Sequence, residues 1–284
     1  MINPIPGFSE PFASLSHLLA AGLAFCGVGF LIRKGRGSAG RISAIIIYTI
    51  GLVFLFSMSG VYHLLDPNGL ARFVFRRLDH AGIWVLIAAT FTPIHIILFR
   101  SGWRWAILLL VWPIAITGLV LEVVFFDSFP EWLSLSLYLG LGWIGALSGM
   151  QFHKRYQDKS LNLLILGGLF YSIGAVIDFI KTPVLWPGVL NAHELFHVFV
   201  IFGAIAHWRF IYHWANYPLR EVIQFHVHIF PDNKFIAKAQ SESIRIESDS
   251  LEMLKLSVAN EVRKRYHKDH TPQIHLRYFN EEFI

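Results

Sequence analysis

A single cysteine, Cys26, stands among 284 residues, so neither an intramolecular disulfide nor a cysteine-rich zinc module can be built from this chain. Lying within an apolar run, it reads as a small buried hydrophobe. Charge is scarce as well. Asp, Glu, Lys and Arg make up 15% of the residues, against about 25% in soluble domains. Hydrophobic residues make up 55%, and the mean hydropathy is +0.52. A membrane protein follows. No cation precedes the first apolar run, since the first basic residue is Arg33, so no cleavable signal peptide is expected. A basic stripe interleaved with exposed aromatics is also missing. The net charge of +5 and the pI near 9.3 therefore do not point to nucleic acid. No internal repeat is evident.

Long apolar segments are abundant. About 20 apolar residues span a bilayer as a helix, and seven such segments run over about 15–32, 42–65, 78–99, 103–126, 132–151, 161–180 and 192–214. Polar punctuation separates them, including Arg33-Lys34-Gly35-Arg36-Gly37, the turn Asp66-Pro67-Asn68-Gly69, and Asp127 through Glu131. Lys154 through Lys159 follows the fifth segment, and Thr182-Pro183 with Pro187-Gly188 precedes the seventh. Pro93 and Pro113 fall inside spans, where neighbouring helices re-satisfy the freed carbonyls. The expected fold is an all-α membrane protein, a seven-transmembrane helix bundle over 1–214, with a small soluble α+β appendage over 218–284. In that tail Glu221–Phe230 and Gln273–Phe279 read as strands, and Leu251–Tyr266 as a helix with Leu251, Leu254, Val258 and Val262 on one face. His226, His228, His267, His270 and His275 read as surface histidines of a tail taken as basic.

Span order assigns every span end to one of two membrane faces. Call face A the side of the N-terminus. Ser16, His17, Ser57, Ser59, His63, Asp79, His80, Glu122, Asp178, His193, Glu194 and His197 all fall toward it. His95, His153 and His207 fall at the opposite ends. Ionisable groups inside a membrane are costly and mark function. His193 and His197 lie four apart and share a helical face. With His63 they make a three-nitrogen set with an open position, the pattern of catalytic rather than structural zinc. Asp79, opening the next span, can hold or deprotonate a metal-held water. Ser59 shares the His63 face and can steady that water or a substrate carbonyl. His17 and Ser16 are candidates to support the ligands. Glu122 and Asp178 read as residues near span ends, Asp178 being paired with Lys181. His80, His95 and His207 read as packing.

His193-Glu194-Leu195-Phe196-His197 also matches the HExxH signature of metalloproteases. In an intramembrane metalloprotease that signature precedes its partner Asp, whereas here Asp79 and His63 come first, so the protease reading is set aside. Taken together, Ser59-Gly60-Val61-Tyr62-His63, Arg77-Leu78-Asp79-His80-Ala81-Gly82-Ile83, His193 through His197, and Phe12 through His17 resemble the hemolysin III-like proteins of the progestin and adiponectin receptor (PAQR) family over about residues 10–214. The resemblance implies a seven-helix bundle with Zn2+ on His63, His193 and His197, and with Asp79 and Ser59 beside it. It makes Glu194 a bystander, since the position after the first histidine of the pair varies in the family. Wider kinship with alkaline ceramidases implies hydrolysis of a lipid amide or ester, with Asp79 as base and zinc stabilising the oxyanion. Membrane lipids are then the expected substrate or ligand. A non-enzymatic sensor or receptor with a structural zinc, and a cytolytic protein, are the other readings. The bacterial inner membrane is the expected location. Lys and Arg concentrate on the face opposite A, which puts that face and the C-terminus in the cytoplasm; adiponectin-receptor relatives imply the reverse. The charge count is followed here. Nothing in the sequence sets the oligomeric state.

Overall fold

A computed structural model describes residues 9–217, 222–230, 234–240, 243–265 and 272–280. Its apolar segments fold as α1 (Pro11–Lys34), α2 (Ala39–Leu64), α3 (Leu70–Leu98), α4 (Ser101–Val124), α5 (Glu131–Trp143), α6 (Gly145–Tyr156), α7 (Leu161–Ile180) and α8 (Ala192–Trp214). Among the described residues, seven helical stretches are long and apolar enough to cross a membrane, α5 and α6 together forming the fifth. The protein is an integral membrane protein with a seven-helix architecture.

Local chemistry sets the helix ends. Ser38 caps α2 by accepting a hydrogen bond from the Arg41 amide. In the turn after α2, the Asp66 carboxylate accepts from the Asn68 amide at 2.8 Å. Asn191 and Glu194 form a capping box at the start of α8. Two elements differ from the sequence expectation. The fifth span is interrupted at Ile144, where Gly140, Gly142 and Gly145 cluster and weaken helix continuity. And α3 starts at Leu70, about two turns before the apolar run, so Asp79 lies inside that helix rather than at its opening. Those extra turns carry Arg72 and Arg77, which are anchored to Glu10 and Asp127.

Helices α2 and α3 pack most extensively, followed by α7 with α8 and α1 with α2. Small residues permit this closeness. A Cβ on Gly51 would stand 2.6 Å from the Ala89 Cβ, and one on Gly82 would stand 2.9 Å from the Leu55 Cα. The Leu55 backbone cannot rotate away as a side chain would. Gly82→Ala is therefore expected to destabilise the bundle by about 1–3 kcal/mol, read as a lowered thermal midpoint in detergent; an unchanged midpoint would refute this close approach. The core joins Ile45, Tyr48 and Leu52 of α2 to Leu98 of α3, Phe152 of α6 and Phe210 of α8. The outward residues Leu19, Leu23, Phe25 and Phe30 are exposed, as a lipid-facing surface requires. Cys26 is exposed with them, which corrects its reading as a buried hydrophobe.

Contacts divide the chain into two units, Met1–Tyr217 and Pro218–Ile284. The second contains β1 (Val222–Ile229), β2 (Phe235–Ala239), β3 (Arg245–Ser248), α9 (Leu251–Arg265) and β4 (Gln273–Asn280). Its sheet order is β3-β2-β1-β4, with β4 parallel to β1 and the other pairs antiparallel. Phe225, Val227 and Ala237 pack against Leu254, Val258 and Val262 of α9. Strands β2 and β3 go beyond the sequence reading: they are short, and Ala237 and Ala239 lack the β-branched signature of a strand. Tyr266, His267 and His270 lie outside the described residues.

Candidate metal centre

Three helical positions converge near face A. His63 is on the last turn of α2, while His193 and His197 occupy the first two turns of α8. One nitrogen from each can be chosen so that all lie within 4.8 Å of one another, a grouping able to hold a metal ion. The Nε2 atoms of His63 and His193 are 3.3 Å apart, and those of His193 and His197 are 3.1 Å apart. A tetrahedral ion with metal–nitrogen distances of about 2.05 Å requires an edge of about 3.3 Å, so the donor set fits.

The opposite ring edges explain why these nitrogens face inward. His193 Nδ1 lies 3.0 Å from the Asp178 carboxylate, and His63 Nδ1 is bonded to Glu10. A carboxylate accepts only, so each Nδ1 carries the proton, and in the neutral ring each Nε2 presents a lone pair. With both rings neutral, two lone pairs face one another across 3.3 Å, an arrangement that a cation relieves. Carboxylates behind metal-binding histidines fix tautomer and ring orientation. Glu10 is itself held by Arg72 at 2.8 Å. Burial opposes its charge, but the hydrogen bond from His63 and the Arg72 guanidinium prevail and hold its pKa down at about 2. It is ionised at neutral pH.

Sequence reasoning missed both carboxylates. Glu10 precedes the first apolar run, and Asp178 reads naturally as the partner of Lys181. The structure gives Asp178 both partners, Lys181 at 3.4 Å and His193 at 3.0 Å. The signal available was position, since both lie toward face A by span order. Glu194, the middle of the HExxH match, accepts from the Asn191 amide at 2.9 Å. It is the N3 residue of a capping box, and Asn191-x-x-Glu194 is the sequence sign that marks it.

Asp79 is half-buried on α3, and its charge acts on His193. No hydrogen bond or ion pair links its side chain to another described residue. Arg77, its nearest charged neighbour in sequence, instead donates to Asp127 at 2.9 Å and to the Val123 carbonyl. Ser59 is buried one turn before His63. His17 is 2% exposed, its ring tilted against that of His197 with centroids 3.8 Å apart. Neither of its nitrogens has a hydrogen-bond partner among the described residues, and His197 Nδ1 has none there either. Ser16 turns away, bonding the Ala13 carbonyl at 3.1 Å.

A second polar cluster lies on α3, α4 and α5. Glu122 is 2% exposed and accepts from Trp84 Nε1 at 2.7 Å, Ser134 Oγ at 3.0 Å and Tyr138 Oη at 2.5 Å, with His80 Nδ1 at 3.1 Å. It is a fully satisfied internal anion rather than a solvated span end, and His80 is its partner rather than packing. His95 and His207 do act in packing, bonded to Ser148 at 2.9 Å and to the Leu164 carbonyl at 3.2 Å.

Comparison with known proteins agrees with this architecture. The profile of the family described as haemolysin-III related matches residues 8–208. The Bacillus cereus protein named Hemolysin-3 is 27% identical over 193 residues, covering 67% of this chain and 84% of the relative. A Hemolysin-3 homolog of Bacillus subtilis is 27% identical over 195 residues, covering 68% and 88%. An adiponectin receptor protein of Drosophila melanogaster is 26% identical over 245 residues, covering 75% and 55%.

Proposed function

This chain belongs to the haemolysin-III related family, and from that membership we propose that it is a zinc-dependent hydrolase of a lipid amide or ester. His63, His193 and His197 would hold the zinc. The observation that carries this reading is the pair of facing Nε2 lone pairs, each backed by a carboxylate on the other ring edge. Zinc bound there would polarise a carbonyl and acidify water at neutral pH.

The remaining roles follow from what each side chain has available. Asp79 has an ionisable carboxyl with no partner among the described residues, so it can take a proton from water and pass it to a leaving group. Ser59, with its hydroxyl on the His63 side of α2, orients a substrate carbonyl. His17 offers two unused nitrogens to an oxygen ligand beside His197. The site lies one or two turns inside helices that cross the membrane, the depth of a lipid's amide or ester. The proposed location is the bacterial cytoplasmic membrane, with face A outside. Arg33, Lys34, Arg36, Arg41, Arg100, Arg104, Lys154, Arg155 and Lys159 crowd the opposite helix ends and loops.

Metal analysis of the purified protein is the direct test, with one zinc per chain expected. Asp178→Asn is expected to weaken zinc binding by about 10–100-fold in chelator competition while leaving the saturated stoichiometry unchanged. An unaltered affinity would show that Asp178 serves Lys181 alone. A second reading is favoured by the receptor name of the Drosophila relative and by the way the histidines join α2 to α8. In it the protein is a sensor stapled by zinc and releases no fatty acid from any lipid under any condition.

A further inference from the structure

The haemolysin-III related match ends at residue 208, leaving the unit from Pro218 onward without an assigned role. Its charges balance in number. Residues 218–284 contain ten Lys and Arg and ten Asp and Glu, so the tail is not basic by count, contrary to its first reading. The balance conceals an alignment. On β1, Ile223, Phe225 and Val227 face the core, so Gln224, His226 and His228 project from the other side of the sheet. His226 is paired with Lys238 of β2 and with Arg277 of β4, and Lys238 is paired with Arg245 of β3. One row across all four strands therefore reads Arg245, Lys238, His226, Arg277.

Like charges directly opposite one another destabilise a sheet. The fold keeps Lys238 and Arg245 in register all the same, and both are exposed, as is Arg277. Arg245 is relieved by Glu247 at 2.6 Å, and Arg277 lies 5.5 Å from the centre of the Phe279 ring. Lys238 has no counter-ion among the described residues. An anionic surface outside the unit would remove this repulsion along the whole row at once.

Chain connectivity singles out that surface. Residues 218–221 join Tyr217, just past the end of α8, to β1, and a link of this length reaches about 17 Å at most. Span order puts that end of α8 on the same membrane face as the basic loops. We propose that the open face of this sheet, through Arg245, Lys238, His226 and Arg277, docks on the anionic phospholipid headgroups of the leaflet into which α8 emerges. Each cation contributes roughly a fivefold gain in binding, and the short tether holds the face at high effective concentration.

The test uses the full chain in nanodiscs, with Cys26→Ser and a single nitroxide label at Gln224→Cys on the open face. A matching label at Met253→Cys, on exposed α9, is the control. Accessibility to a soluble nickel chelate is compared in phosphatidylcholine alone and in phosphatidylcholine with phosphatidylglycerol. The expected result is severalfold protection of position 224 in the anionic discs only, lost at high salt and in the Lys238→Glu, Arg277→Glu double variant, with position 253 unchanged. A thermal melt establishes that the double variant is folded; the salt arm needs no variant. Equal accessibility in the two lipids overturns the proposal. So does protection in neutral discs, which would mean an apolar or protein contact. Protection by inorganic phosphate in neutral discs would assign the row to a free anion and overturn it equally.

Discussion

Asp79→Asn is expected to leave the zinc content of the protein intact and to lower lipid amide or ester turnover by about 10²–10⁴-fold, the range spanned by a general acid–base residue. The two halves of that outcome come from two features. Zinc is retained because Asp79 is not among the three clustered histidines and makes no hydrogen bond to them. Turnover falls because Asn has nearly the same volume but cannot accept a proton at neutral pH. A structural alternative exists, in which the carboxylate serves only to neutralise a nearby arginine. The structure argues against it for the neighbouring Arg77 and Arg76, since Arg77 is paired with Asp127 at 2.9 Å and neither forms an ion pair with Asp79 among the described residues. The measurement is fatty-acid release in reconstituted vesicles beside metal analysis of the same preparation. Turnover within a factor of two or three of the unsubstituted protein would remove Asp79 from the mechanism.

Glu122→Ala is expected to cost about 3–5 kcal/mol, the usual loss when one member of a buried ionic network is removed. For a bundle of this size that corresponds to a fall in thermal midpoint of roughly 10 °C or more. The loss exceeds that of an ordinary hydrogen bond because four side chains depend on this one carboxylate. His80, Trp84, Ser134 and Tyr138 would all be left without it, and Trp84 and Ser134 are buried where little water can replace it. Glu122→Gln, which keeps the volume and one oxygen acceptor, is expected to recover part of the loss. A midpoint for the Ala variant within two or three degrees of the original would show that water fills the space, and that the cluster does not hold α3, α4 and α5 together.

On the proposed function, metal binding and catalysis would separate in these experiments. Asp178→Asn would act on affinity through the orientation of His193, Asp79→Asn on turnover, and Glu122→Ala on the fold. A protein that is only a zinc-stapled sensor would show the first and third effects and never the second.

Much of the bundle was legible in the sequence because a bilayer imposes a strict rule. Each span needs about 20 apolar residues, so the breaks at Arg33, Asp66, Asp127 and Lys154 are conspicuous. The gathering of His63, His193 and His197 could be anticipated from span order alone, since alternate crossings bring the end of the second span and the start of the seventh to one face. Glu10 and Asp178 were harder to see. A carboxylate at a span end looks the same in sequence whether it faces solvent, a lysine or a histidine. Glu122 was hidden for the same reason, because its partners come from α3 and α5, at separations of 12 to 42 residues.

Sequence by itself determined that this is a seven-span membrane protein with His63, His193 and His197 on one face and a small charged tail, because hydropathy and helical spacing are local properties of the chain. Tertiary structure alone decided which nitrogen of each histidine faces inward, that Glu122 is an internal anion, and that four basic residues of the tail share one row. Those outcomes depend on which side chain stands opposite another across a helix contact or a strand pairing, and local spacing does not fix that choice.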